Sequence, residues 1–321
     1  MSHTSPEREP ILVTGWSKLT TGIVNCLRQA GHPVTVCADS RFENPASAPV
    51  SPNQLEINSS DRFLTVIDRL DEAADFSQVI ACTDENEVQK KALIRQLEAV
   101  LPSDALIAIN TESIPLSTLQ QEASNPERII GVNWTIPADT TYFLEIIAND
   151  KTDSRQVNAF YTTAKLVWQK DPYVVRNDNG IRTRLLCAMI REAFYLVENG
   201  YVTVEDVDRA CRNDPGYYLP FSGNFRYMDL MGTFIYGVVM QDLFPELSKA
   251  RHVPRFFNEI VQDGGLGMVT EKGFYAYKKD EAEQWEESFR EFSHQIRDLI
   301  SKYPFDYAEV PQPIRKQPVV Q

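Results

Sequence analysis

Residues 165–200 read KLVWQKDPYVVRNDNGIRTRLLCAMIREAFYLVENG, and the change of pattern inside this stretch decides the architecture. Leu166, Val167 and Trp168 form a compact apolar run that predicts a short strand, and Asp171-Pro172 punctuates the chain just after it. From Ile181 onward, Ile181, Leu185, Leu186, Met189, Ile190, Phe194 and Val197 recur at helical spacing. Asn199-Gly200 then stops the helix with residues that accept a left-handed backbone. Strands alternate with helices before this stretch, and nearly everything after it is helical. The pattern predicts a tail at 1–10, an α/β domain with a doubly wound sheet at 11–171, an all-α domain at 172–303 and a second tail at 304–321. Any active site is expected between the two domains.

A chain of 321 residues is long enough for two cores, and 43% hydrophobic with 24% charged residues is the composition of a globular protein. The net charge of −13 argues against nucleic acid and against an anionic membrane as partner, because the field repels both. Cys26, Cys37, Cys82, Cys187 and Cys211 are odd in number, widely spaced and mostly within apolar runs, which predicts buried free thiols in a reducing compartment. No CxxC or Cys/His cluster suggests a metal site. The opening MSHTSPEREP lacks an apolar signal-peptide core, and no apolar run approaches the ~20 residues of a membrane span. The expected location is the cytoplasm.

Upstream of the deciding stretch, residues 11–14 form a strand, Gly15 to Gly22 a turn into an amphipathic helix, and residues 34–38 a second strand. Strand, glycine turn, helix and strand within about thirty residues is the opening of a dinucleotide-binding unit, where backbone N–H groups at a helix start approach a pyrophosphate. Gly15 and Gly22 are present, while Ser17 and Thr20 stand where GxGxxG has its other glycines. A plain βαβ turn that binds nothing is the competing reading. Ala38 holds the natural position for a ribose-binding carboxylate, and Asp39 comes one residue later. Residues 41–58, with ENPASAPVSPNQ, predict a loop. The alternation then resumes with a helix at 63–70, a strand at 79–82, a helix at 87–100, strands at 105–110, 129–134 and 143–147, and a helix at 153–164.

Downstream, Thr203 and Asp206 form a capping-box pattern at the start of a helix. The glycine- and aromatic-rich NDPGYYLPFSGNF predicts a turn before a helix at 226–244. Pro254 opens another helix, and residues 269–277 form a compact closing element. A final helix at 281–303 carries Trp285, Phe289, Phe292, Ile296, Leu299 and Ile300 on one face.

Five segments in this order resemble the L-3-hydroxyacyl-CoA dehydrogenases. They are INTESIPL (residues 109–116), residues 132–146, TRLLCAMIREAFYLVENG (183–200), GNFRYMDLMG (223–232) and QDGGLGMVTEKGFYAY (262–277). The resemblance implies a Rossmann-type doubly wound sheet, an all-α C-terminal domain that forms a homodimer, and NAD or NADP as cofactor. It also implies hydroxyl oxidation by hydride transfer, with a histidine as base, a glutamate orienting it, and a serine and an asparagine holding the substrate oxygen. By position, Glu145 matches the orienting glutamate, whereas Asn133 replaces the histidine and cannot accept a proton. Glu112, with Ser113 beside it, stands at the serine, Thr183 at the asparagine, and Ala81 where the family has a glutamate near the cofactor. None of His3, His32, His252 or His294 takes the lost place: each reads as a surface residue. The short loop at 41–58 also replaces a helical pair that contributes to CoA binding in the family.

Two readings fit these residues. In the first, the chain keeps the fold and is inactive or very weak in the family's reaction. In the second, it is an active NAD(P)-dependent oxidoreductase on a different small hydroxy substrate, with Glu112 or Glu145 as base and with Asn133 and Thr183 holding the oxygen.

Overall fold

The computed structural model describes residues 8–37 and 64–304; Asp39, His3 and the loop at 41–58 lie outside the described residues. The first domain runs β1 (Ile11–Thr14), α1 (Lys18–Gln29), β2 (Val34–Cys37), β3 (Leu64–Ile67), β4 (Gln78–Ala81), α2 (Glu87–Val100), β5 (Leu106–Ile109), α3 (Leu116–Leu119), β6 (Ile129–Asn133), β7 (Phe143–Ala148), α4 (Ser154–Leu166) and β8 (Asp171–Arg176). The eight strands order as β3-β2-β1-β4-β5-β6-β7-β8. All pairings are parallel except β6 with β7.

Strand periodicity explains why the sheet needs cover on both faces. In β1, Ile11 and Val13 enter one core and Leu12 the other; in β5, Leu106 and Ala108 enter the first, Ile107 and Ile109 the second. α1 and α4 close the first face with Ile23, Val24, Leu27, Val157 and Phe160. α2 and α3 close the second with Leu93, Ile94, Leu97, Leu116 and Leu119. The strand order reverses between β1 and β4, so a crevice opens beyond the carboxyl ends of these strands, where α/β sheets bind ligands.

Three local expectations in this domain are corrected. Leu64–Ile67 is an edge strand and not a helix, because the β-branched Thr65, Val66 and Ile67 obey the strand preference. Leu166, Val167 and Trp168 are the end of α4 and the turn after it, and the strand expected there is Asp171–Arg176, parallel to β7. The run is apolar because Trp168 fills the core against Trp134 and Phe160, a role that a short apolar run does not reveal. His32, expected at the surface, is buried beneath this cluster, where the Trp168 indole N–H donates to its Nε2 at 3.1 Å. Its Nδ1 lies 2.9 Å from the Glu9 carbonyl and therefore carries the proton.

The second domain comprises α5 (Arg182–Glu198), α6 (Val204–Asn213), α7 (Pro215–Met231), α8 (Thr233–Leu243), α9 (Arg255–Gln262) and α10 (Glu281–Lys302). The Thr203/Asp206 capping box forms as the spacing predicts. NDPGYYLPFSGNF is largely helical and not a turn: from Pro215 it makes the first part of α7, which kinks at Gly223 (φ 63°) and does not begin at Arg226. Gly232, at φ 103°, separates α7 from α8. α10 folds back on the first domain, where Arg297 donates to the Thr140 carbonyl at 2.6 Å and stacks over the Tyr142 ring. Cys26, Cys37 and Cys82 are buried, but Cys187 is exposed and Cys211 half-buried, which corrects the expectation for these two.

Candidate functional site

The carboxyl ends of β1 and β4 frame the nucleotide half of the crevice. Gly15 has φ +93°, and a Cβ there would sit 2.4 Å from the Cys82 carbonyl oxygen, so only glycine lets β1 turn this closely past β4. Ser17, at the second glycine position, is the N-cap of α1 and accepts from the Thr20 backbone N–H at 3.2 Å. The Thr20 hydroxyl, at the third, is buried and lies 3.0 Å from Ser17 Oγ. The two substituted side chains therefore satisfy each other at the turn. Gly22 is required for close packing, since a Cβ would meet the Ala138 backbone nitrogen at 2.9 Å. α1 also has no acidic residue in its first turn, which leaves its positive end compatible with a pyrophosphate.

Asn133 and Glu145 face each other directly across β6 and β7, and Glu145 faces Tyr173 across β7 and β8. Glu145 is fully buried and accepts four hydrogen bonds. Its Oε2 takes Asn133 Nδ2 at 3.0 Å; its Oε1 takes the Tyr173 hydroxyl at 3.0 Å and the Ile181 and Arg182 backbone N–H groups at 2.8 and 3.1 Å. Burial, seconded by the Glu145 charge, pushes the Tyr173 phenol well up, so it stays a neutral donor. Gly180 allows this approach, because a Cβ there would fall 2.1 Å from Glu145 Oε2. Asn133 is equally committed: its amide donates to the Thr111 carbonyl at 2.8 Å and accepts from the Thr111 N–H at 3.0 Å. The pair ties β6 and β7 to the start of α5, and neither side chain has a group turned to the crevice.

Glu112 presents the accessible chemistry. Its carboxylate lies 3.1 and 3.2 Å from Arg182 Nη1 and accepts from the Thr183 hydroxyl. Glu112 and Arg182 each keep about a third of their side-chain surface, 33% in both cases. The two candidate carboxylates do not share a proton site, since Arg182 bridges them, backbone to Glu145 and guanidinium to Glu112. The exposed Ser113 does not join this group: its hydroxyl lies 3.2 Å from Glu85.

Glu85 and Lys90 build the platform beneath Glu112. Glu85 Oε1 accepts from the backbone N–H groups of Glu112, Ser113 and Ile114 at 3.0, 2.7 and 3.0 Å. Burial alone would raise Glu85, but these donors and the Lys90 charge hold its carboxyl below the ordinary range. Lys90 is fully buried, 3.3 Å from Glu85 and 2.7 Å from the Asn110 carbonyl; burial pushes it down while Glu85 opposes the shift. Nothing in the sequence singles out Arg182, Tyr173, Gly180, Glu85 or Lys90. The one local signal is a charged residue, Arg182, opening an apolar-patterned helix. Among the described residues no group of three His, Cys, Asp or Glu side chains can hold a metal, and no helix is long and apolar enough to cross a membrane.

Comparison with known proteins agrees with the two-domain fold. The 3-hydroxyacyl-CoA dehydrogenase NAD binding domain matches residues 11–179, and the C-terminal domain of the same family matches residues 181–277. A 5-formyl-3-hydroxy-2-methylpyridine 4-carboxylate 5-dehydrogenase of Mesorhizobium japonicum is 29% identical over 205 residues, covering 63% of this chain and 66% of that protein. A 3-hydroxybutyryl-CoA dehydrogenase of Mycobacterium tuberculosis is 27% identical over 280 residues, covering 83% and 97%. The crystal structure of a 5-formyl-3-hydroxy-2-methylpyridine 4-carboxylic acid 5-dehydrogenase, an NAD+-dependent dismutase, shares the fold. Its TM-score is 0.82 at 23% identity, over 92% of this chain and 99% of that one.

Proposed function

The chain belongs to the 3-hydroxyacyl-CoA dehydrogenase family, and from that premise we propose that it is an NAD-type oxidoreductase in which Glu112 replaces the family's histidine as proton acceptor. Its substrate is a small hydroxy compound, and the family's CoA thioesters are turned over very weakly or not at all. The observation that carries this reading is the division of labour between two carboxylates. Glu145 is buried and saturated by four donors, while Glu112 is half-buried and within reach of the crevice. A base must touch the proton it takes, and of these two carboxylates only Glu112 is exposed enough for a substrate to reach.

A bound nicotinamide supplies the hydride acceptor. The residues of this chain do the rest: Gly15, Ser17, Thr20 and Gly22 shape the turn for the pyrophosphate, and Glu112 takes the hydroxyl proton as the carbonyl forms. Thr183 and Arg182 hold Glu112 at the mouth of the crevice. Asn133 and Glu145 hold β6, β7 and α5 in register so that the cluster stays assembled. In the sequence an acidic residue, Asp39, follows the second strand, and a carboxylate in that place is the family signature of a free ribose 2′-hydroxyl, which supports NAD over NADP. The relative named for a pyridine carboxylate supports a small substrate without CoA.

The exposed apolar surface of the second domain supports a homodimer. Beyond Trp168 no large apolar side chain of the described residues is buried within the single chain, and Phe225 and Phe234 are 80% and 84% exposed.

The test is NAD reduction across a panel of small hydroxy compounds, neutral and carboxylated, with 3-hydroxybutyryl-CoA alongside. Turnover of at least one small hydroxy compound is expected, with the thioester near background. Glu112→Gln is expected to lower kcat by about 10²–10⁴-fold, the usual worth of a general base. Preference for the thioester, or unchanged kcat in Glu112→Gln, would overturn the reading.

A further inference from the structure

The Arg182–Glu112 contact is not what holds the 110–114 segment in place. Glu85 already fixes that segment through three backbone N–H groups, and Lys90 binds it through the Asn110 carbonyl. An ion pair that leaves a third of each side chain in solvent adds little stability of its own. The pair is also incomplete. Both contacts to Glu112 come from Arg182 Nη1, and among the described residues no acceptor faces Nε or Nη2, the edge that takes a carboxylate in two parallel hydrogen bonds. The guanidinium is nevertheless held in position. The Arg182 N–H is bound to Glu145, and the side chain lies 5.7 Å from the centre of the Phe143 ring.

An arginine positioned from behind, with its fork open and its near nitrogen on a displaceable carboxylate, is a binding site for an anion of the same shape. We propose that Arg182, with the Thr183 hydroxyl, recognises a carboxylate on the substrate, and that Glu112 is the internal carboxylate held there until the substrate arrives. The substrate class is thereby narrowed to small hydroxy carboxylates. This rests on the proposed function, and it explains how Glu112 serves as base despite its contacts. A substrate carboxylate on Arg182 takes over the pairing, and the released Glu112 turns to the hydroxyl group beside it. A neutral alcohol leaves Glu112 engaged.

Equilibrium binding tests this without turnover. The full-length chain is titrated by calorimetry with pyridine-4-carboxylate and with its neutral carboxamide, and NADH affinity and thermal melting are measured on the same samples. The carboxylate is expected to bind and the carboxamide to bind at least about tenfold more weakly, the loss of one charge-assisted fork. Arg182→Met should abolish the difference. Glu112→Gln should bind the carboxylate about tenfold more tightly, as for a site occupied internally about nine-tenths of the time. Equal binding of the two probes, or no gain in Glu112→Gln with its melting temperature preserved, overturns the inference. If NADH binds while the probes do not discriminate, the inference fails and the oxidoreductase reading stands. If the probes discriminate but Glu112→Gln keeps its turnover, carboxylate recognition stands and the base assignment fails.

Discussion

Asn133 and Glu145 form a buried hydrogen-bonded pair across β6 and β7. A histidine facing Glu145 would have a second nitrogen to turn toward a substrate. An asparagine spends its amide on Thr111 and Glu145, and the chain gains a rigid crosslink between β6, β7 and α5 in place of a base. Glu145→Gln should therefore act on stability first. Its new amide must place N–H groups against Asn133 or against the Tyr173, Ile181 and Arg182 donors, at a cost of about 2–4 kcal/mol. Urea denaturation measures this, and a loss below about 1 kcal/mol would contradict a saturated carboxylate. Gly180→Ala should cost a similar amount, because its Cβ overlaps the same carboxylate at 2.1 Å. Glu112, Asn133, Glu145 and Thr183 are legible in the sequence because each sits at a fixed offset inside a family motif. Arg182 and Glu85 are not, since their roles depend on partners 70 and 27 residues away, which only the sheet brings together.

Among elements, most strands and helices arise directly from apolar periodicity. The errors fall where two causes give one pattern. Leu166, Val167 and Trp168 are apolar for the sake of the aromatic core and not of a strand. In NDPGYYLPFSGNF, Pro215 opens a helix that the glycines argue against, and the break comes at Gly223. His32 reads as a surface residue because its partner, Trp168, arrives from the far end of the domain. Its burial sets a pH dependence. Burial pushes His32 down in the folded state, with the Glu9 carbonyl bond opposing, so at mildly acidic pH the unfolded chain binds more protons than the folded one. The stability this contributes is present above the ordinary value of about 6.5 and is lost as pH falls below it. Melting temperature should fall between pH 7.5 and 5.5, and His32→Gln should flatten that decline. An unchanged slope in the variant would place the titration elsewhere.

At the scale of the whole molecule, the first domain is complete and the second is not. Two packed cores cover the sheet, whereas the second domain leaves Tyr217, Phe225, Leu230 and Phe234 on its surface. An apolar face of this kind is stable in water when a second copy covers it. Sedimentation should give twice the chain mass, and Phe234→Asp should shift the protein to a single chain. A monomeric parent protein would contradict this. The domains meet through α5, whose first residues bind Glu145 and carry Arg182 and Thr183, so the proposed site exists only in the assembled chain. α10 adds a second tie by docking Arg297 on the loop before β7.

Hydride transfer depends most directly on the nucleotide. Gly15 and Gly22 keep the close approaches that the turn needs, and Ser17 and Thr20 satisfy each other in place of two glycines. Titration of the full-length chain with NADH and NADPH, monitored by nicotinamide fluorescence, measures whether that turn still binds. Saturable binding of NADH, tighter than that of NADPH, is the predicted result. No binding of either at millimolar concentration would contradict hydride transfer by this chain.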